Sequence, residues 1–438
     1  KLEEFVEKHH ILVISPPLNE PLSARFYYSC AYRTFRIRAP HMLHELAHSM
    51  RDNEESIMKQ CGNYAQYDLR RVIWSLNILR SEILQNRPFK LFYDKEPDAK
   101  EWNMSLKQLV SREKNQWFTS TWLFAECYLY RRIWAAFRRA ETLRNFDYFS
   151  PVKFSTVRGL VPLMNNIVIA TRGMTLSQAN FQFMLKLSLW ANRCDLSNTT
   201  EVPNEHIMQL IDEYEKDLLT DQSADIWCLL TENGRSKTHS VVIDIILDNA
   251  AYELFTDLLL AEYLIESGLA KKVRFHVKDR PWFVSDVTEA DFNWMLNSFL
   301  CNQQGELSAF GHNLRGLMQD KCIELCSVCD FWTKPSGFSS MRELFPCLYV
   351  GISFSTLAIF KGDLNYRKLL EDVSRSPTTP LIECLGDFMP TSICALRVIK
   401  SDIYCGMPVC VVDWLTEDDS QWMGRAEKAV IQLAVKPR

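Results

Sequence analysis

Glycine is scarce in this chain, at 14 in 438 residues. No G-x-G turn follows the first strand-like run of the C-terminal half, so the usual approach of a nucleotide-type ligand to a glycine-rich backbone is missing. Long apolar runs are also lacking: residues 241–247 are short and residues 254–265 are interrupted by acids, well under the roughly 18 residues that span a bilayer. Charge of one sign is not in excess. With 50 basic and 54 acidic residues and a formal net charge of −4, nothing global draws the chain to nucleic acid or to an anionic membrane. There is no internal repeat and no low-complexity tract. The opening KLEEFVEKHH carries charges where a secretion signal needs an apolar stretch. It also starts without Met, so the chain reads as trimmed, and the expected compartment is the cytosol, with the nucleus as an addition.

What is present is core-forming material, 47% hydrophobic and 12% aromatic, enough for two or three domains. The 14 cysteines are scattered through a large chain and read as reduced, mostly buried thiols rather than a disulfide framework. From about Pro40 to Leu230, apolar residues recur every three or four positions. Examples are Leu69, Val72, Ile73, Leu76, Leu79, then Trp122, Leu123, Cys127, Tyr130, Ile133, Phe137, then residues 181–190. This predicts a bundle of helices, with Pro88, Pro97, Pro151, Pro162 and Pro203 between them. Near residue 240 the pattern becomes short β-branched runs, 241–247 and 273–277, separated by a helix-like 252–267, the order of a parallel βαβ unit. Residues 357–361 and 393–400 are further strand candidates. The expected division is therefore a helical region, 1–235, and an α/β region, 236–438, with a mainly parallel sheet.

In open sheets of that kind, ligands bind beyond the carboxyl ends of the strands. The first strand runs straight into Asp248 and Asn249, and the segment after the second brings Ser285 and Asp286 to the same rim if the two strands are neighbours. Two carboxylates and an amide are hard oxygen donors that suit a divalent cation. The competing reading is a turn and two helix caps. After the third strand candidate come Lys361, Gly362, Asp363, Leu364, Asn365, Tyr366, Arg367 and Lys368, and the fourth ends in Arg397-Val-Ile-Lys400. Cationic and amide donors beside a metal are what phosphate-ester hydrolysis needs, because charge builds on the phosphoryl oxygens. Lys and Arg at strand ends are otherwise simply solvated.

The ordered runs LDNAAYELFTDLLLAEYL, VRFHVKDRPWFVSDVTEADFNWML, LAIFKGDLNYRKL and ICALRVIKSD resemble the motifs of the damage-control phosphatase superfamily (domain of unknown function 89), closest to its subfamily III. That subfamily is also described as acidic-residue or protein-glutamate methyltransferase. PLSARFYYSCAYRTFRIRAP, WLFAECYLYRRI and LWANRCDLS extend the likeness over nearly the whole chain. The resemblance implies a helical N-terminal region on a three-layer, Rossmann-like α/β domain with a metal-dependent phosphatase site. It further implies that Asp248, Asn249 and Asp286 are metal ligands and that Asp363, Leu364, Asn365, Tyr366 and Arg367 form a substrate loop. An Arg-Thr-x-Lys signature falls on Arg397–Lys400, with Lys400 on the phosphate. The implied substrates are sugar phosphates such as fructose 1-phosphate, with Mn²⁺, Co²⁺, Ni²⁺ or a related divalent ion such as Mg²⁺. Two positions depart from the family: Val398 replaces the signature Thr, and Ala251 stands where Gly is common. Attack by water, with Asp363 or Asp286 as base, and attack by an aspartate are both open.

Other readings compete. Under the methyltransferase description, S-adenosylmethionine would meet Glu253 and Asp286, and the partner would be a protein carboxylate. Val398 is the feature that would suit an inactive, binding-only homologue. His44-Glu45-Leu46-Ala47-His48, with His41 nearby, fits the H-E-x-x-H zinc pattern, against an exposed amphipathic helix. Cys326-Ser-Val-Cys329, with Cys322, has zinc or redox spacing but no second pair, so free thiols are expected. The sequons at Asn103 and Asn198 carry no weight in a protein that is not exported.

Overall fold

The computed structural model describes residues 2–191, 193, 209, 211–234, 240–302 and 305–437. Asn198, Pro203 and residues 235 and 236, either side of the expected division, lie outside these. Two compact units emerge, one of residues 1–149 with 334–336 and 372–374, the other of residues 150–333, 337–371 and 375–438.

The first unit is helical, as its periodicity predicts, with long helices at Ala39–Asp52, Ala65–Leu84, Ala99–Ser111 and Trp122–Arg138. Leu69, Val72, Leu76 and Leu79 line the buried stripe of one helix, and Trp117, Phe118 and Tyr128 are enclosed beside it. Arg131 is fully buried and forked onto both Asp94 and Asp98, so its charge is compensated where water cannot reach it. Asn103 is not a free acceptor site, because its amide exchanges two hydrogen bonds with the Phe92 backbone. His41, Glu45 and His48 stand on the exposed face of Ala39–Asp52, where His48 pairs with Asp52. His44 is exposed as well, and among the described residues this face gathers no three-ligand set. The zinc-protease pattern is an amphipathic helix here.

The second unit is built on seven strands: β1 (Leu218–Asp221), β2 (Val242–Ile246), β3 (Lys272–His276), β4 (Ile323–Leu325), β5 (Leu357–Lys361), β6 (Ser392–Val398) and β7 (Ala429–Ala434). Their order is β1-β7-β6-β5-β2-β3-β4, parallel except for β6 against β7. Alternation along the strands sends Ile243, Ile245, Val273, Phe275, Leu357, Ile359, Leu396 and Ile431 into one apolar core with helices Ser150–Thr171, Gln178–Trp190, Tyr252–Glu266, Glu289–Leu300 and Gly305–Gln319. The opposite face presents Phe360 and His276 to an aromatic layer of Phe331, Trp332, Phe338 and Phe388. Three layers result. The helix at 150–171 belongs to the sheet's own core, so the compact units part at Phe149/Ser150 rather than at 235/236, where only the periodicity changes. Pro162 is a second correction, since it sits inside Ser150–Thr171 rather than between helices. Among the described residues no disulfide forms, and no helix is long and apolar enough to cross a membrane.

Candidate functional site

Strands β2 and β3 lie side by side in parallel register, Ile246 opposite His276, and they stay joined beyond the sheet. The Lys278 N–H donates to Val287 O, the Val287 N–H to Asp248 O and the Ala250 N–H to Ser285 O, while Asn249 and Asp286 form an isolated bridge. These backbone pairs bring Asp248, Asn249 and Asp286 to one rim. The turn that delivers Asp286 is strained: Phe283 has φ 42° and Val284 φ 70°, a conformation that a β-branched residue adopts only when its surroundings impose it. Ala251 has φ 62°, which explains why glycine suits that position.

Within the cluster Asn249 is held from three sides. Its Nδ2 donates to Asp248 Oδ2 at 2.8 Å and to Glu253 Oε2 at 2.7 Å, and its Oδ1 accepts from Ser285 Oγ at 2.5 Å. Glu253 is in turn 3.4 Å from Lys361 Nζ, which also donates to Asp257 and to Ser188. Burial, with the Glu253 and Asp286 carboxylates, pushes the Asp248 carboxyl well above the usual range, against the opposing charges of Lys400 and Lys278. Burial likewise raises Asp286 to about 6, opposed by Lys278, Lys153 and Lys368. Asp286 Oδ2 is buried and accepts no hydrogen bond, with Lys278 Nζ 3.5 Å away. Crowded, desolvated carboxylates with an oxygen left over form a donor set that a divalent cation satisfies.

Gly362 closes the cluster. Its φ of 83° is in the left-handed region, and a Cβ there would run into the Asp248 carboxylate. Beyond it, residues 363–367 are not a loop but part of the helix Gly362–Leu369. Leu364, Asn365, Tyr366 and Arg367 are buried. The Asn365 amide donates to Lys361 O at 2.8 Å, and Tyr366 OH donates to Gln432 at 2.8 Å, so both hold the framework.

Asp363 and Arg397 form the next shell outward. Arg397 is 1% exposed, lies 4.1 Å above the Tyr366 ring and spends its guanidinium on Asp363 Oδ1, Ser401 and Ile403 O. Burial alone would raise the Asp363 carboxyl, but Arg397, Arg367 and the Lys400 backbone amide hold it below the ordinary value. Asp363 Oδ1 also accepts from Ser401 Oγ at 3.1 Å and from the Lys400 N–H at 3.1 Å. The pair thus fixes the turn that carries Lys400, whose own side chain is half-buried. Val398 is buried on β6, turned into the core shared with Leu396, where a methyl suits better than a hydroxyl.

Residues 34–415 match the family model described as the damage-control phosphatase ARMT1-like domain. The chain belongs to that family. Proteins called damage-control phosphatase ARMT1 are similar over almost their whole length. That of Danio rerio is 34% identical, covering 96% of this chain and 97% of the relative. That of Xenopus tropicalis is 32% identical over 96% and 99%, and that of Homo sapiens 29% identical over 94% and 97%. A DUF89 family protein from Pyrococcus horikoshii is 18% identical, with a TM-score of 0.43 over 77% of this chain and 91% of its own.

Sequence reasoning on this damage-control phosphatase family member gives no role to Lys278 or Lys153 and a different one to Gly362. Lys278 directly follows the β3 run and is 2% exposed, donating to Leu247 O at 3.1 Å. A lysine at the carboxyl end of a buried strand was the available signal. Gly362 was noticed for close approach, but to a ligand rather than to Asp248. Lys153, buried and bonded to Asp291 Oδ2 at 2.7 Å, comes from a distant helix and left no local trace.

Proposed function

We propose that the chain is a divalent-metal-dependent phosphatase for small phosphorylated metabolites, of the sugar-phosphate class that includes fructose 1-phosphate. The observation that carries this reading is the convergence of Asp248, Asn249 and Asp286, with a buried Asp286 oxygen that accepts no hydrogen bond and faces the Lys278 ammonium at 3.5 Å, under the charges of Lys278 and Lys400. Asp248, Asn249 and Asp286 would hold the ion, with Mn²⁺, Co²⁺, Ni²⁺ and Mg²⁺ all compatible with oxygen donors. A bound divalent ion supplies Lewis-acid polarisation of a phosphoryl oxygen.

The protein's residues do the rest. Lys400 binds the phosphate from a turn that Arg397 and Asp363 keep rigid, and Lys278 offers a second ammonium where negative charge develops. Ser285 and Glu253 keep the Asn249 amide from flipping. Asp363 is taken up by Arg397 and Ser401, which leaves Asp286 as the carboxylate suited to receive a proton from attacking water. The Glu253 carboxylate, where the family match would place a methyl donor, is buried against Asn249 and Lys361, so the phosphatase reading is kept. The expected compartment remains the cytosol.

The test is a panel of sugar phosphates assayed with Mn²⁺, Co²⁺, Ni²⁺ and EDTA, beside calorimetry with S-adenosylmethionine. Asp248→Ala should abolish metal-dependent phosphate release while leaving the circular-dichroism spectrum intact. Retained release, or methyl-donor binding without phosphatase activity, would overturn the proposal.

A further inference from the structure

Away from the Asp248 cluster, three adjacent strands bring three different metal-ligating side chains to one point. Asp244 is on β2, His276 on β3 and Cys326 immediately after β4, and their donor atoms all lie within 4.8 Å of one another. The register explains the meeting. Asp244 and Ile246 face the aromatic side of the sheet, as does His276, and the Cys326 N–H donates to Phe275 O, which continues the β3–β4 ladder by one residue. Asp244 is wholly enclosed and His276 is 6% exposed, whereas Cys326 is half-buried and reachable from solvent.

His276 Nε2 faces both partners, 2.9 Å from Asp244 Oδ1 and 3.7 Å from Cys326 Sγ. Around a tetrahedral zinc, nitrogen–oxygen and nitrogen–sulfur donors stand roughly 3.4–3.6 Å apart, given zinc bond lengths of about 2.0–2.3 Å. The observed pair brackets that range, and with Asp244 and Cys326 within 4.8 Å of each other closing the three donors on a cation takes movements on the order of 1 Å. The Arg274 guanidinium forks onto both Asp244 oxygens and is anchored on Gly351 O, so a cation would share Oδ1 with it. Such hydrogen bonds hold a ligating carboxylate in place. Thiolate with imidazole selects Zn²⁺ over the hard ions suited to the all-oxygen cluster. The fourth position lies outside these three side chains, and the next thiol along the same segment is Cys329, half-buried.

We propose that Asp244, His276 and Cys326 form a zinc site, separate from the phosphatase centre, that ties the β4 edge of the sheet to its middle. Cys326, the first cysteine of the C-x-x-C pair, thereby gains a purpose.

The experiment loads the full-length apoprotein with Co²⁺ and records its near-ultraviolet absorption. Cobalt bound by Cys326 gives a thiolate charge-transfer band, which an all-oxygen site does not. The band is expected in the natural protein and in Asp248→Asn, and it should be absent from Cys326→Ser. In parallel, Zn²⁺ should slow alkylation of Cys326 by iodoacetamide at least tenfold in the natural protein, read by peptide mass spectrometry. That second measurement needs no variant to fold. No thiolate band, a band that survives in Cys326→Ser, or alkylation indifferent to zinc would each overturn the proposal. None of these outcomes bears on phosphate release.

Discussion

Replacing Gly362 by Ala adds a single methyl group and should disable the enzyme. Two costs follow from the geometry. The φ of 83° costs an L-residue about 1–2 kcal/mol relative to glycine. The new Cβ also overlaps the Asp248 carboxylate, so that side chain, or the start of the helix Gly362–Leu369, must move by about 1 Å, a displacement that can cost about 10²-fold in rate. In activation free energy this is about 2.7 kcal/mol. Gly268 provides the control. Its φ is 75° and a Cβ there meets nothing within 4 Å, so Gly268→Ala carries the backbone cost without the collision. The assay pairs thermal unfolding with kcat/KM for fructose 1-phosphate in Mn²⁺. Gly362→Ala should lose at least as much stability as Gly268→Ala, and only Gly362→Ala should lose activity. If Gly362→Ala kept more than a third of the natural kcat/KM, the placing of Asp248 at the reactive centre would be wrong.

Three further perturbations read other parts of the molecule. Lys278→Met should lower kcat by at least about 10²-fold, the loss typical of removing one electrostatic stabiliser, and an unchanged kcat would remove Lys278 from the reaction. Arg397→Lys keeps the charge but loses the fork that spans Asp363, Ser401 and Ile403. KM should rise about tenfold as the Lys400 turn loosens, while Mn²⁺ affinity by calorimetry stays the same; weakened metal binding would contradict this division of labour. Glu262 is pushed up to about 7 by burial, with Glu266 adding to the effect. Its folded-state value lies above the unfolded one, so the folded protein holds the extra proton and stability falls as pH rises from 4.5 towards 7. At about 1.4 kcal/mol per unit the loss is at most about 3 kcal/mol. Urea denaturation across that window should show the decline in the natural protein and a flatter profile in Glu262→Gln.

The strands that sequence revealed are those buried on both faces. β2, β3, β5 and β6 carry apolar residues in runs or at alternate positions, broken only by Asp244 in β2, by Lys272, Arg274 and His276 in β3, by Lys361 in β5 and by Ser392 and Arg397 in β6, whereas β1 (LLTD) and β4 (IEL) are short edge strands with little to distinguish them from helix ends. β7 was missed although six residues long, because it lies against the direction of its neighbour β6 and outside the βαβ rhythm. Asp248 and Asn249 were legible because they end a strand. Asp286 needed the assumption that β2 and β3 are neighbours, which the register bears out. The residues called a substrate loop could not be recognised as helix from one glycine followed by mixed polar residues, and Arg397 looks like a phosphate donor until its contacts with Asp363, Ser401, Ile403 and Tyr366 are seen. His276 beside Asp244 and Cys326 depends on registering three strands at once, information that no local pattern contains.

The backbone stitches that fasten residues 278–288 to residues 248–250 have a practical corollary for anyone reshaping this enzyme. Adding or deleting one amino acid in that turn would slide every rung out of step, so it should tolerate neither. Residues 399–403 leave no more room for exchange, since Ile399, Ser401 and Ile403 are enclosed there and the Asp363–Arg397 pair holds the turn that presents Lys400.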